Sequence, residues 1–193
     1  MVNAEEAKEF AAEPLDDDLR QWMVPGSKQF VTLGRLSPEK GHAKLIRAFA
    51  ELVKMHPTCK LTILGDGPLR DDLEFLIEEL ALTSNVFLAG LRINPFPALQ
   101  RSDCFVFSSD YEGQGLVVLE ALILGKPVIS TDVVGPRSVL ENGHGMLVEN
   151  SVQGLVDGMR DFLGGRIDPP AFDYDAYQRE AIQKFERVAL NRS

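Results

Sequence analysis

The sequence is short of the features that mark several large functional classes. It has two cysteines, Cys59 and Cys104, in 193 residues. A disulfide framework needs more, so both are expected as buried thiols in or beside strands. The histidines His42, His56 and His144 are too scattered to form a metal site. Positive charge is in deficit, with 20 Lys and Arg against 29 Asp and Glu and a formal net charge of −9. No basic stripe of the kind that follows a nucleic-acid backbone is present, so nucleic acid is not an expected partner. No apolar run approaches the roughly 18 residues that crossing a bilayer takes. No N-terminal stretch combines a charged start, an apolar middle and a cleavage site, so the expected location is cytoplasmic. There is no internal repeat and no low-complexity tract.

What is present is an alternation of two periods. Residues 1–27 mix acids, alanines and a late Pro25-Gly26; they read as a linker with a short helix, outside the core. Six short β-rich runs follow: QFVTLG (29–34), CKLTILG (59–65), NVFLAG (85–90), DCFVFSS (103–109), KPVIST (126–131) and GMLVEN (145–150). Between them lie helical spacings. Leu45, Ile46, Phe49, Leu52 and Val53 mark one helix over 42–55, and Pro68 opens another carrying Leu69, Leu73, Leu76, Ile77 and Leu80. A short helix is expected over 95–101, a helix apolar nearly all round over 115–124, and a further one from Val152 to Leu163. Asp173 is placed to cap a last helix, 174–190. Strand–helix repetition at this spacing means βαβ units, a parallel sheet and an α/β fold with helices on both faces. Ligands of such sheets bind beyond the carboxyl ends of the strands, which singles out loops 34–41, 65–68, 90–95, 108–115 and 131–138.

The loop after the first strand reads GRLSPEKG (34–41). It lacks the G-x-G-x-x-G of a dinucleotide loop and carries two cations instead. Arg35 offers a planar fork for phosphate oxygens and Lys40 a mobile point charge. Read alone, these cations fit better as a solvated charge pair with Glu39. Further on, DYEGQGLVVLEALILGKPVISTD (110–132) holds Glu112 among glycines and Glu120 inside an apolar run from Leu116 to Leu124. A carboxylate in such a run is costly unless something hydrogen-bonds it. On one helix, eight residues would put the pair about 12 Å apart, beyond the about 5–9.5 Å of paired hydrolytic carboxylates. Two separate tasks along one extended ligand fit better. The N–H groups of Gln114 to Val117 lie at a helix start suited to an anion. Glu120 is placed to accept from a ribose diol, and Glu112 from a sugar hydroxyl further out.

Taken in order, GRLSPEKG, ILGDGP, EGQGLVVLEALILGKPVISTD and GPRSVLENGHGMLV resemble the C-terminal domain of retaining glycosyltransferases of the GT-B fold. The resemblance covers about residues 28–165 and includes enzymes of bacterial cell-surface glycan synthesis. It implies a Rossmann-like three-layer αβα sandwich with a parallel sheet of about six strands, one half of a GT-B fold. The implied organisation is a linker remnant at 1–27, a donor-binding domain at 28–170, and a segment at 171–193 that packs toward an N-terminal domain. The implied function is transfer of a hexosyl unit from a UDP- or GDP-sugar to a glycan, lipid or other acceptor hydroxyl, inactive without the N-terminal domain. Arg35 and Lys40 would hold the donor diphosphate and stabilise the leaving group, and Gly34, which opens their loop, would belong to the donor-binding site. Glu112 would contact the donor sugar and Glu120 the ribose. The backbone of Gly115, Leu116 and Val117 would meet phosphates and sugar, and that of Leu91 and Arg92 would border the base. Arg35, Lys40 and Glu112 are the expected catalytic group. No cofactor and no catalytic metal are implied, the nucleotide sugar being a co-substrate. Peripheral membrane association of the intact enzyme is common in such proteins, although no basic amphipathic helix supports it here.

The sequence departs from the family pattern at Gln114, where an aromatic residue is common, which bears on donor preference. Upstream of residue 28 nothing supplies an N-terminal domain, so an apolar patch near the cleft or the last helix is expected to be exposed. The alternatives are a nucleotide-sugar-binding module without catalysis, or a GT-B nucleotide-sugar epimerase, which usually has other glutamate and histidine landmarks. DYD at 173–175 is read as a cap and not a metal motif, DDD at 16–18 as a solvated helix start, and Trp22 as a packing anchor. Ser108 and Ser109 have no evident His–acid partners.

Overall fold

The computed structural model describes residues 3–141 and 143–179. Its centre is a six-stranded parallel sheet: β1 (Gln29–Leu33), β2 (Lys60–Leu64), β3 (Val86–Gly90), β4 (Cys104–Phe107), β5 (Val128–Thr131) and β6 (Met146–Val148), in the spatial order β3-β2-β1-β4-β5-β6. The strands are short and buried on both faces. Alternate side chains therefore feed two cores. Phe30, Cys104 and Val106 point to one, and Val31, Phe105 and Phe107 to the other.

The first core is covered by α3 (His42–Val53), α4 (Arg70–Glu79) and α8 (Val152–Leu163), which contribute Leu45, Ile46, Phe49, Leu73, Leu76, Leu155 and Met159. The second is covered by α5 (Phe96–Arg101), α6 (Leu116–Ile123) and α7 (Val134–Leu140). Both cysteines are free and buried, as expected. The helix expected from Pro68 begins two residues later, at Arg70, because Pro68 and Leu69 make the turn that leaves β2. Helix α7 was not expected, since VGPRSVL has a Gly-Pro pair in place of a helical start signal. Among the described residues no helix is long and apolar enough to cross a membrane.

The N-terminal segment departs from the reading of residues 1–27 as outside the core. It forms α1 (Ala4–Ala11), started by a capping box between Asn3 and Glu6, and α2 (Asp17–Trp22). Ala7, Ala11, Leu15 and Leu19 are buried in the second core, where α1 packs against α5 and α6. DDD does start α2 and is exposed, and each of its acids is ion-paired, Asp16 and Asp18 with Arg92 and Asp17 with Arg20. Trp22 does anchor the segment: its ring meets Phe87 at 5.3 Å, and the Lys60 ammonium lies 4.4 Å from the ring centroid. At the other end, the Ala176 N–H donates to the Asp173 carboxylate at 2.9 Å, so DYD caps a helix. Residues 174–179 of the expected 174–190 helix are helical, and the remainder lies outside the described residues.

If α1 and α2 belong to the cooperative unit, Leu19→Ala should lower the unfolding free energy by about 2–4 kcal/mol, since it empties a fully buried site. Urea unfolding tests this. A loss under about 0.5 kcal/mol, the size of a surface change, would show that the segment merely rests on the domain.

Candidate functional site

The strand order creates one place where neighbouring strands send the chain in opposite directions. From β1 it goes to β2 and β3; from β4 it goes to β5 and β6. The loops after β1 and β4 diverge there and leave a crevice at the strands' carboxyl ends. Those loops are 34–41 and 108–115, which carry Arg35, Lys40 and Glu112.

The two loops are fastened to each other. The first ends in a 3-10 turn, Pro38–Lys40, followed by Gly41 at φ 64°. A side chain at Gly41 would place its Cβ 2.2 Å from the Ser108 carbonyl oxygen, so only glycine allows this approach. The Ser108 hydroxyl donates to the Lys40 carbonyl at 2.9 Å, and the Asp110 N–H to the Glu39 carbonyl at 2.8 Å. On α3, Lys44 bridges the side chains of Asp110 and Asn150. From the far side, the Gly135 N–H of α7 donates to the Glu112 carbonyl at 2.9 Å. A Cβ on Gly135 would sit 2.9 Å from the Gln114 backbone nitrogen. The loop 65–68 braces from behind, with Leu36 N–H donating to the Asp66 carbonyl and Leu69 N–H to that of Leu36, both at 3.0 Å.

Within this frame Lys40 meets Glu112, with Nζ 2.7 Å from Oε2. Both side chains are largely buried, at 23% and 22% exposure. The other carboxylate oxygen of Glu112 accepts from the N–H groups of Gly113 at 3.1 Å and Gln114 at 3.4 Å. Burial alone would raise the Glu112 carboxyl, but the Lys40 ammonium and the loop amides outweigh it and hold it below the ordinary range. Glu39 does not pair with Lys40 as read alone from the sequence; its carboxylate accepts from the Ser37 hydroxyl at 2.5 Å. Arg35 is exposed, and its guanidinium makes no hydrogen bond or ion pair among the described residues.

Helix α6 starts at the same crevice. Gly115 caps it at φ 63°, leaving Leu116 and Val117 as its first two residues, whose N–H groups have no carbonyl one turn back. Glu120 lies one turn in, partly buried, and its carboxylate has no hydrogen-bond partner among the described residues. Burial pushes its carboxyl up. No hydrogen bond from nearby backbone offsets the cost that its place in an apolar run implies. A half-buried acceptor without a donor lies one turn beyond free N–H groups on a helix.

Leu91 and Arg92 stand apart, on the loop after β3. Leu91 is exposed. Arg92 donates to the Ala89 carbonyl at 2.5 Å and to the carboxylates of Asp16, at 3.0 Å, and Asp18. A cavity of about 380 Å³ opens between this loop and α2, lined by Leu15, Asp16, Leu91, Arg92 and Asn94 among others. Leu91, Ile93, Tyr111 and Val134 are all over two-thirds exposed, the first three on the loops after β3 and β4 and the last at the start of α7, so apolar side chains are exposed at this edge.

His42 is the first residue of α3 and lies beneath the 34–41 loop. Its ring is buried, and neither nitrogen reaches hydrogen-bonding geometry. Burial pushes its pKa down to about 4, against the opposing pull of the Arg35 and Gly34 backbone. The imidazole is therefore neutral at pH 7. Lys44, Asp110 and Gly135 were not singled out in the sequence. No spacing rule connects them, because they meet only once β4, β5 and α3 are packed.

The family model for "Glycosyl transferases group 1" matches residues 18–179. An uncharacterized glycosyltransferase of Methanocaldococcus jannaschii is 46% identical over 134 residues, 69% of this chain and 33% of the relative. A poly(ribitol-phosphate) alpha-N-acetylglucosaminyltransferase of Staphylococcus aureus is 33% identical over 162 residues, 82% of this chain and 32% of the relative. Among solved structures, a variant of S. aureus TarM, in complex with Fondaparinux, alpha-GlcNAc-glycerol and UDP, superimposes with TM-score 0.68 at 33% identity. That match covers 71% of this chain and 28% of TarM. The chain thus spans about a third of the length of the curated relatives it matches.

The buried neutral His42 has a consequence for acid stability. Its folded pKa of about 4 lies below its ordinary value of 6.5, so the unfolded chain binds the extra proton in that window. Stability should fall as pH drops from about 6.5 to about 4, at up to about 1.4 kcal/mol per pH unit, and His42→Gln should flatten that limb. Unfolding free energies at pH 7, 5.5 and 4.5 test this. Equal slopes in both proteins would mean that the ring is solvated.

Proposed function

The chain belongs to the glycosyl transferases group 1, and on that premise we propose that it is the donor-binding half of a retaining glycosyltransferase. In this reading a hexosyl unit moves from a UDP- or GDP-sugar to a glycan, lipid or other acceptor hydroxyl. The observation that carries it is the convergence, at the one point where strand order reverses, of an unpaired Arg35, a Lys40–Glu112 pair, the start of α6 and the unsatisfied Glu120. These groups are graded as an extended donor would need, with cations for the diphosphate and carboxylates for hydroxyls on either side.

Arg35 and Lys40 bind the two phosphates, helped by the N–H groups of Leu116 and Val117. Glu120 accepts from the ribose and Glu112 from the sugar. The cavity beside Leu91 and Arg92 takes the base. As the glycosidic bond breaks, negative charge grows on the departing diphosphate, and cations already in place stabilise it without reorganising. The acceptor oxygen attacks the anomeric carbon from the face the diphosphate leaves, with retention. No metal or resident cofactor has a part in this reading. Acceptor contacts come from an N-terminal domain, and transfer needs it.

Calorimetric titration with UDP, GDP, ADP and their glucose derivatives, with EDTA present, is the test. One nucleoside diphosphate should bind saturably. Arg35→Ala and Lys40→Ala should each weaken it about 10- to 150-fold, the worth of one charge-assisted hydrogen bond. Unchanged affinity in both variants would remove their role.

Glu120 supplies a second test with two readouts. Its folded pKa is raised above the ordinary value of 4.5, so its stabilising effect is present at low pH and lost as pH rises through the folded pKa. Burying this carboxyl is therefore a cost at pH 7, and Glu120→Gln should raise the melting temperature of the free protein while weakening nucleotide binding. A variant that is less stable and binds normally would make Glu120 a structural acid.

A further inference from the structure

We propose that Glu112 also discriminates the intact donor from the spent nucleotide, by holding Lys40 in the free site and facing the terminal phosphate once the sugar has gone. This rests on the donor-site reading above.

Neither partner of the ion pair is free to turn away. One Glu112 oxygen is bonded to Lys40, the other to the amides of Gly113 and Gln114, and its own carbonyl accepts from Gly135. Lys40 is fixed at its backbone, where its N–H donates to the Ser37 carbonyl at 3.1 Å and its carbonyl accepts from Ser108. The pair is only about a fifth exposed, so solvent screens it weakly. A diphosphate entering this site meets an Arg35 guanidinium engaged in no ion pair but must share Lys40 with a carboxylate.

The two ligands differ in what they present to that carboxylate. An intact nucleotide sugar offers hydroxyl donors, which satisfy the oxygen that Lys40 leaves. A nucleoside diphosphate offers a terminal phosphate with an added negative charge and no donor at all. Carboxylate and phosphate then face each other with one ammonium between them, and like charges brought together in a partly buried site repel strongly. The same residue therefore favours donor and disfavours product, which assists product release after transfer.

The test is titration of wild type, Glu112→Gln, Lys40→Met and the double variant with UDP, GDP and ADP and with their glucose derivatives. The glutamine keeps the size and one acceptor oxygen for the loop amides, and removes the charge. For the base that binds, Glu112→Gln should hold the nucleoside diphosphate about tenfold more tightly and the nucleotide sugar no more tightly. Adding Glu112→Gln to Lys40→Met should give a smaller gain than in wild type, because no lysine is released. Thermal unfolding confirms that each variant is folded, and Glu112→Asp, which keeps the charge, should retain weak product binding. Unchanged or weaker diphosphate binding in Glu112→Gln overturns the inference and leaves the donor site standing. Absence of binding to any nucleotide in wild type and variant overturns both.

Discussion

The crevice exists because two loops leaving adjacent strands in opposite directions are pressed together where no side chain fits. The carbonyl of Ser108 lies where a Cβ of Gly41 would be, and the Ser108 and Asp110 donors close the seam on Lys40 and Glu39. Without that contact the loops after β1 and β4 would be independent surface segments. With it, Lys40 and Glu112, 72 residues apart in sequence, meet at 2.7 Å. Further supports follow from the same seam. Lys44 reaches Asp110 only because Gly41 brings α3 up to the β4 loop, and α7 closes the far side through Gly135.

The ionisable groups of the site are poised differently by one environment. Glu112 is buried with a cation and two amides and stays charged. Glu120 is buried without a hydrogen-bond partner among the described residues, and its charge is a cost. His42 is buried deeper still and is neutral. A domain built only for stability would have exchanged Glu120 for leucine, as its neighbours on α6 illustrate. An acceptor left half-buried at the start of a helix is the kind of local misfit that binding a ligand relieves.

The N-terminal helices tie a distant part of the site to the fold. Asp16 and Asp18 hold Arg92, so the loop after β3 is shaped by residues more than seventy positions earlier. This makes α2 one wall of the cavity assigned to the base. It also explains why Leu15 and Leu19 are buried: the segment has to lie on the α5–α6 face to reach that loop.

Strand and helix periods, read along the chain, located all six strands and the helices α3, α4, α5, α6 and α8, because those elements carry their apolar faces in local spacing. The same reading placed Arg35, Lys40, Glu112 and Glu120 on loops and a helix start beyond strand ends, since glycines and charges interrupt the apolar pattern there. It left α7 and the packed state of α1 and α2 unseen: a Gly-Pro pair hides a helix start, and acid-rich segments show little of the face they bury. Partnership was beyond it altogether. Nothing local distinguishes Glu39, next to Lys40 in the chain, from Glu112, which is the residue Lys40 bonds. Only the strand order, which sets β1 beside β4, decided that one acid is held by a serine and the other by the lysine. Residue types and their spacing thus determined which chemistry is present, and the tertiary structure decided which charges face each other, because ion pairs depend on distances in space that spacing along the chain does not encode.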